Sequence, residues 1–193
     1  RCLAILACRG PFFPQGMALE TLGELRSVGA VNEIMDFLSE ENSYLYEAAE
    51  HALSKLEEAV IDPARARLEA ANIEEDAGHS LLITLCELGT PEALKLVLDH
   101  VDFFVDAAGP GNAARWISLL GARELIDPLR RHLPKDTAQV GQAILLLAAI
   151  HNTRVPEEAA IRQAIDDFWK KHPEEGGDGE EPGPGDGSDK YLM

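Results

Sequence analysis

The sequence is poor in cysteine and in aromatic residues. It contains three cysteines, Cys2, Cys8 and Cys86, and aromatic residues make up 6% of the chain. A small, odd number of cysteines does not provide a disulfide framework, so we expect reduced thiols and a cytoplasmic location. Strands favour aromatic and β-branched residues, whereas this chain is dominated by alanine and leucine, which favour helices. The composition therefore predicts an all-α fold.

Positive charge is also scarce. The chain carries 34 Asp and Glu residues against 17 Lys and Arg residues, which gives a formal net charge of -17. Nucleic-acid-binding proteins usually show a basic surface, because neutralisation of phosphates drives their affinity. Net acidity likewise argues against binding to an anionic membrane surface. We therefore expect a protein or peptide partner rather than a nucleic acid or a membrane.

The sequence lacks recognisable catalytic and metal-binding motifs. It has no P-loop, no GxGxxG and no GxSxG motif, and its six histidines form no HxxxH or HExxH pair. A zinc site needs several convergent ligands. No apolar run approaches the roughly 20 residues that cross a bilayer. We predict that the chain has no catalytic residue, no cofactor, no metal site and no membrane span.

Four segments of the sequence resemble one another and indicate an internal repeat. Three of them open with glycine and a small residue, and each carries an apolar residue at the fifth and at the eighth position after that glycine. This spacing is typical of one face of a helix. The fourth segment has Val60 in place of the glycine and is the poorest match. The segments are GAVNEIMDFLSEE (29–41), VIDPARARLEAAN (60–72), GTPEALKLVLDHV (89–101) and GARELIDPLRRHL (121–133).

Each segment follows another amphipathic stretch. Apolar residues stand four and seven positions before each segment, which predicts a helix there as well. The repeating unit is then a helix, a tight turn and a second helix in about 30 residues. Glycine suits the turn because it adopts the left-handed conformation at low cost. The upstream residues are Leu25, Leu56, Leu85 and Ile117 at four positions, and Leu22, Leu53, Leu82 and Ala114 at seven.

The remaining segments extend the repeat at both ends. A very apolar helix is predicted over 136–150, with Asp136 or Thr137 as its cap, and a last helix over 156–172. Residues 1–9 have the pattern of half of an earlier unit. A long link without helical assignment runs from Val101 to Asn112.

The pattern resembles the HEAT-like repeat family, and in particular the short repeats of phycobilisome-lyase type. The resemblance covers roughly residues 17–171 and implies an α-solenoid of about five stacked helical hairpins. A hairpin buries its apolar stripe by packing against its neighbours. Two domains are predicted: the solenoid over 1–172 and an acidic Gly/Pro-rich tail over 173–193, whose composition predicts disorder.

Candidate binding residues are charged residues of the second helices and one tryptophan. In HEAT-like proteins the second helices usually line the concave surface, so the resemblance implies a binding ridge there. Trp116 has two interpretations: it fills the space beside the long link, or it is an exposed aromatic anchor. The candidate residues are Arg65, Lys95, Asp99, Trp116, Arg123, Arg130 and Arg131.

We therefore expect a non-enzymatic scaffold or adaptor that binds another protein or peptide; neither its partner nor its oligomeric state follows from the sequence. Two alternatives remain open. One is a bilin-lyase-like subunit, which bilin transfer to an apo-phycobiliprotein would reveal. The other is a HEAT-like nucleic-acid-binding protein, which a gel shift at low salt would reveal.

Overall fold

Alanine- and leucine-rich segments form helices throughout the part of the chain that the structure describes. The computed structural model describes residues 1–7, 11–39, 42–70 and 75–172, and these contain α-helices, short 3-10 helices and turns but no strand. The prediction of an all-α fold is confirmed. Within these residues the α-helices are α1 (Cys2–Ala7), α2 (Phe12–Glu24), α3 (Val31–Met35), α4 (Ser43–Ser54), α5 (Ile61–Glu69), α6 (Glu75–Leu88), α7 (Pro91–Asp99), α8 (Val101–Ala108), α9 (Pro110–Leu119), α10 (Ile126–His132), α11 (Thr137–Ile150) and α12 (Glu158–Lys171).

Helices pack mainly against helices that are near them in sequence. The helix α1 packs on α2, α2 on α4, and α4 on α6. In the second half, α6 packs on α8 and α9, α9 on α11, and α11 on α12. The shorter helices α3 and α10 pack on the helices that follow them, α4 and α11, and α5 packs on α7. The main contacts therefore join each repeating unit to its neighbours.

Left-handed residues mark the turns between the paired helices at a regular interval. Five residues with positive φ occur 31 or 32 positions apart along the chain. Gly89 (φ 59°) and Gly121 (φ 62°) hold the conformation that was predicted for them. The other three positions are occupied by residues with side chains: Arg26 (φ 47°), Glu57 (φ 53°) and Asn152 (φ 47°).

The predicted turn position was wrong in the first two units. Gly29 lies in a 3-10 helix, Val28–Ala30, and Val60 ends another, Glu57–Val60. The left-handed residue lies three positions earlier in each unit, at Arg26 and Glu57. The shift explains why Leu25, which was expected on the buried face of its helix, is 69% exposed.

Measured from the left-handed residues, two rows of apolar side chains are buried in all five units. They occupy the fourth and the eighth position before each turn, on the face that each longer helix turns towards the core. This spacing is that of one helix face. The first row is Leu22, Leu53, Leu85, Ile117 and Ala148, and the second is Ala18, Ala49, Leu81, Ala113 and Ile144.

The predicted link between Val101 and Asn112 is wrong. This stretch forms the additional helix α8 and the start of α9, with Gly109 (φ 79°) at the junction. Four apolar residues of α8 recur at helical spacing and are buried: Val101, Phe104, Val105 and Ala108.

Hydrogen bonds fix the start of two helices, and the first of them confirms the predicted cap at Asp136. The Asp136 side chain accepts a hydrogen bond from the Gln139 backbone N–H and caps α11. Thr90 caps α7 through the Ala93 N–H, and Pro91 occupies the first turn, where its missing N–H costs little. Cys8 and the predicted tail, 173–193, lie outside the described residues.

Replacing Gly121 with alanine is expected to lower the free energy of unfolding by about 1 kcal/mol, because an L-side chain disfavours the left-handed conformation. A Cβ at Gly121 meets nothing within 4 Å, so the effect isolates the backbone. Gly29→Ala is a matched control, since Gly29 also has open space and lacks a positive φ. Urea denaturation of both variants tests this, and an equal loss in both would contradict it.

Candidate binding surfaces

Four of the predicted ridge residues have no partner among the described residues. Lys95 and Asp99 are exposed on α7, Arg123 is exposed in the 3-10 helix that precedes α10, and Arg65 is half-buried on α5. None of the four side chains forms a hydrogen bond or an ion pair with another described residue. They are available for contact with another molecule.

Arg130 is instead held by carboxylates of its own chain. Its guanidinium donates to Glu157, which lies at the start of α12, and lies 3.4 Å from the Asp127 carboxylate. The hydrogen bond with Glu157 raises the pKa of Arg130, and the same bond lowers the pKa of Glu157. Arg130 thus joins α10 to the last unit, and the structure gives it a role inside the fold.

Arg131 also faces the acidic side of α8. Its guanidinium lies 3.6 Å from the Asp102 carboxylate. The imidazole Nε2 of the buried His132 lies 2.7 Å from the other oxygen of the same carboxylate. One turn further along α8, Asp106 pairs with Lys135 at 2.9 Å. The charged residues of the predicted ridge therefore form two groups, one on α5 and α7 and the other at α10. The helix α8 contacts both α7 and α10.

Several polar contacts join residues that lie about one repeat apart. They connect turn to turn or helix to helix in successive units, and their sequence separations are 29 to 31 residues. Such contacts align neighbouring units and add to the apolar packing between them. The pairs are Glu24–Lys55, Arg26–Glu57, Asp36–Arg67, Asp102–His132, Asp106–Lys135 and the Gly121 carbonyl with His151.

Stability is expected to fall in acid as Glu157 is protonated. Its pKa is lowered below 4.5 in the folded state, so the stabilisation is fully present above that pH and is lost as the pH falls through the lowered pKa. Glu157→Gln should lower the denaturation midpoint near neutral pH but not below the folded pKa. Asp99→Asn, which removes a carboxylate without a partner among the described residues, is the control. If the denaturation midpoints of Glu157→Gln and the wild type differed by the same amount at every pH, this expectation would be contradicted.

The two tryptophans lie in different environments. Trp116 is half-buried and packs against the hydrophobic core. Trp169, on α12, is 38% exposed and lies edge-on against Phe168, with ring centroids 5.1 Å apart. Trp169 was not among the binding residues predicted from the sequence. The sequence pattern that could have identified it is the helical spacing of the apolar residues Ile161, Ile165, Phe168 and Trp169, which places them on one face of α12.

Trp169 lines an apolar groove that the sequence analysis did not predict. The groove has a volume of about 480 Å³ and lies between α9, α11 and α12. Pockets of this size that combine apolar side chains with several polar groups are typical of binding sites. Its lining residues are Gly111, Asn112, Arg115, Ser118, Leu119, Ala138, Gln139, Gln142, Ala143, Leu146, Ile165, Phe168 and Trp169.

Burial shifts the pKa of two ionisable groups outside the groove, Cys86 and Glu50. Cys86 is a free, buried thiol, and burial raises its pKa to about 12. A thiol with such a pKa is not a nucleophile at neutral pH. Burial also raises the pKa of Glu50, on α4. In the described ranges, no three His, Cys, Asp or Glu side chains converge as a metal site would require.

Comparison of the chain with protein-family models, with curated proteins and with solved structures gave no match. None of the helices that the structure describes has the length and hydrophobicity that a bilayer crossing requires. The functional interpretation therefore depends on the residues of this chain.

Proposed function

We propose that the chain is a HEAT-like α-solenoid that acts as a non-enzymatic scaffold for another protein or peptide. Two features support the solenoid. The turns recur every 31 or 32 residues, and the main helix contacts join neighbouring units. A stack of this kind presents a row of equivalent helices, which is the usual binding surface of repeat proteins.

The observation that carries the binding proposal is a set of cations that have no partner in the part of the chain that the structure describes. The chain has twice as many acidic as basic residues, yet Arg65, Lys95 and Arg123 pair with none of the described acids. Such cations in an acidic protein favour a partner with an acidic segment. Arg130 and Arg131 contribute less, because carboxylates already neutralise them.

The free thiols of Cys2 and Cys86 support a reducing, cytoplasmic environment as part of the same proposal.

The test is affinity capture from the native host with the full chain as bait, followed by mass spectrometry. A triple charge-reversal variant, Arg65→Glu, Lys95→Glu and Arg123→Glu, should lose the proteins that the wild type enriches. A single reversal of the exposed Arg154, which lies in the loop before α12, is the control and should retain them. Circular dichroism verifies that the variants keep their helicity. An unchanged set of enriched proteins in the triple variant would rule out these three cations as binding residues.

A further inference from the structure

Two helices, α9 and α11, form walls of the groove between α9, α11 and α12. One wall carries Asn112, Arg115 and Leu119 of α9, and the other carries Gln139, Gln142 and Leu146 of α11. In both walls the residues are spaced three and then four positions apart, which is a ridge along one helix face. With a rise of 1.5 Å per residue, each ridge is roughly 10 Å long, or two helical turns.

Large apolar side chains are exposed at the groove. Leu119 is 63% exposed, Leu146 is 49% exposed, and Ile150, one turn beyond Leu146 on α11, is 58% exposed. On the third side, α12 supplies Phe168 and Trp169. An exposed apolar patch that extends beyond a pocket is typical of a protein interaction site, and it indicates an occupant longer than the pocket itself.

The charge of the groove differs from that of the whole chain. The chain has 34 acidic residues, but no acidic residue within the described ranges lines the groove. The only charged side chain among the lining residues is that of Arg115, which is exposed and has no partner among the described residues. Asn112, Gln139 and Gln142 supply neutral hydrogen-bonding groups at the rim. A carboxylate on the occupant would complement Arg115.

We propose that this groove binds an amphipathic helix of another protein, with apolar residues at positions i, i+4 and i+7 and one acidic residue placed beside Arg115. Ridges of a helix fit between the ridges of two neighbouring helices. An added β-strand is a poorer fit, because its affinity comes from main-chain hydrogen bonds and the walls are helices that satisfy their own backbone groups. The groove involves none of the residues Arg65, Lys95 and Arg123, so this proposal and the one based on those three cations are tested independently.

The test uses a displayed library of 16-residue helical peptides, selected on the full chain and then measured with purified variants by fluorescence polarisation. The selected peptides should converge on apolar residues at i, i+4 and i+7 with a neighbouring Asp or Glu. Leu146→Asp should weaken their binding by about tenfold or more, as for a central contact. Arg115→Gln should weaken it by about two- to fivefold, the size of one exposed ion pair.

Two matched variants serve as controls. Leu25→Asp changes an exposed leucine directly after α2, far along the chain from the groove, and Arg154→Gln removes an exposed arginine outside it. Both should bind the selected peptides as the wild type does. The proposal is overturned if no peptide is selected, if binding is insensitive to Leu146→Asp, or if the selected peptides carry basic residues in place of the acidic one.

Discussion

Replacing Leu85 with alanine is expected to lower the free energy of unfolding by about 2–5 kcal/mol. Leu85 is fully buried on α6, and this helix packs against α4, α7, α8 and α9. Truncation would leave a cavity where units on both sides meet, so the loss is not confined to one helix. Urea denaturation followed by circular dichroism measures it.

Leu25→Ala is the control for this large effect. The repeat register predicted from the sequence places Leu25 and Leu85 at equivalent positions, but Leu25 is exposed in the structure. A surface substitution of this kind usually changes stability by less than about 0.5 kcal/mol. Equal losses for the two variants would show that the predicted register, and not the structural one, is correct.

Gly23→Ala is expected to destabilise the fold by about 1–3 kcal/mol through overpacking. A Cβ at Gly23 of α2 would lie 2.7 Å from the Cα of Ala52 on α4. Because that neighbour is backbone, the two helices must separate to admit the methyl group. The measurement is again the free energy of unfolding in urea.

Gly111→Ala provides the comparison for Gly23. A Cβ at Gly111 would also meet a close neighbour, but that neighbour is the end of the Gln139 side chain. A flexible side chain can change rotamer, so the loss should be clearly smaller than that for Gly23→Ala. A larger loss of unfolding free energy for Gly111→Ala than for Gly23→Ala would contradict the close backbone contact between α2 and α4.

The sequence predicted the helical class and the repeat interval well, because both depend on apolar spacing within single helices. Alignment of the segments on Gly29, with Val60 as its equivalent, placed the first two turns three residues late. Arg26 and Glu57 adopt the left-handed conformation without being glycine, and no local signal distinguishes them from helical Arg and Glu. The helix α8 was missed for a different reason: the apolar spacing of Val101, Phe104 and Val105 was present but did not fit the repeat.

The binding surfaces were harder to predict because they depend on which helices meet. The charges of Arg130 and Arg131 are visible in the sequence, but their pairing with Glu157 and Asp102 requires α12 and α8 to be placed. The groove is likewise formed by three helices, and its contributors are distant in sequence. Single-helix periodicity identifies apolar faces, but it does not show which of them remain uncovered.

Arg26 and Glu57 limit how far the turns can be made uniform by consensus design. Each holds a left-handed backbone that glycine would adopt more easily, yet their side chains bind each other at 2.7 Å across the boundary between the first two units. Glycine at either site would relax the main chain and at the same time remove this link. The first two turns are therefore coupled positions, and an idealised repeat protein derived from this chain should change them together or leave both as they are.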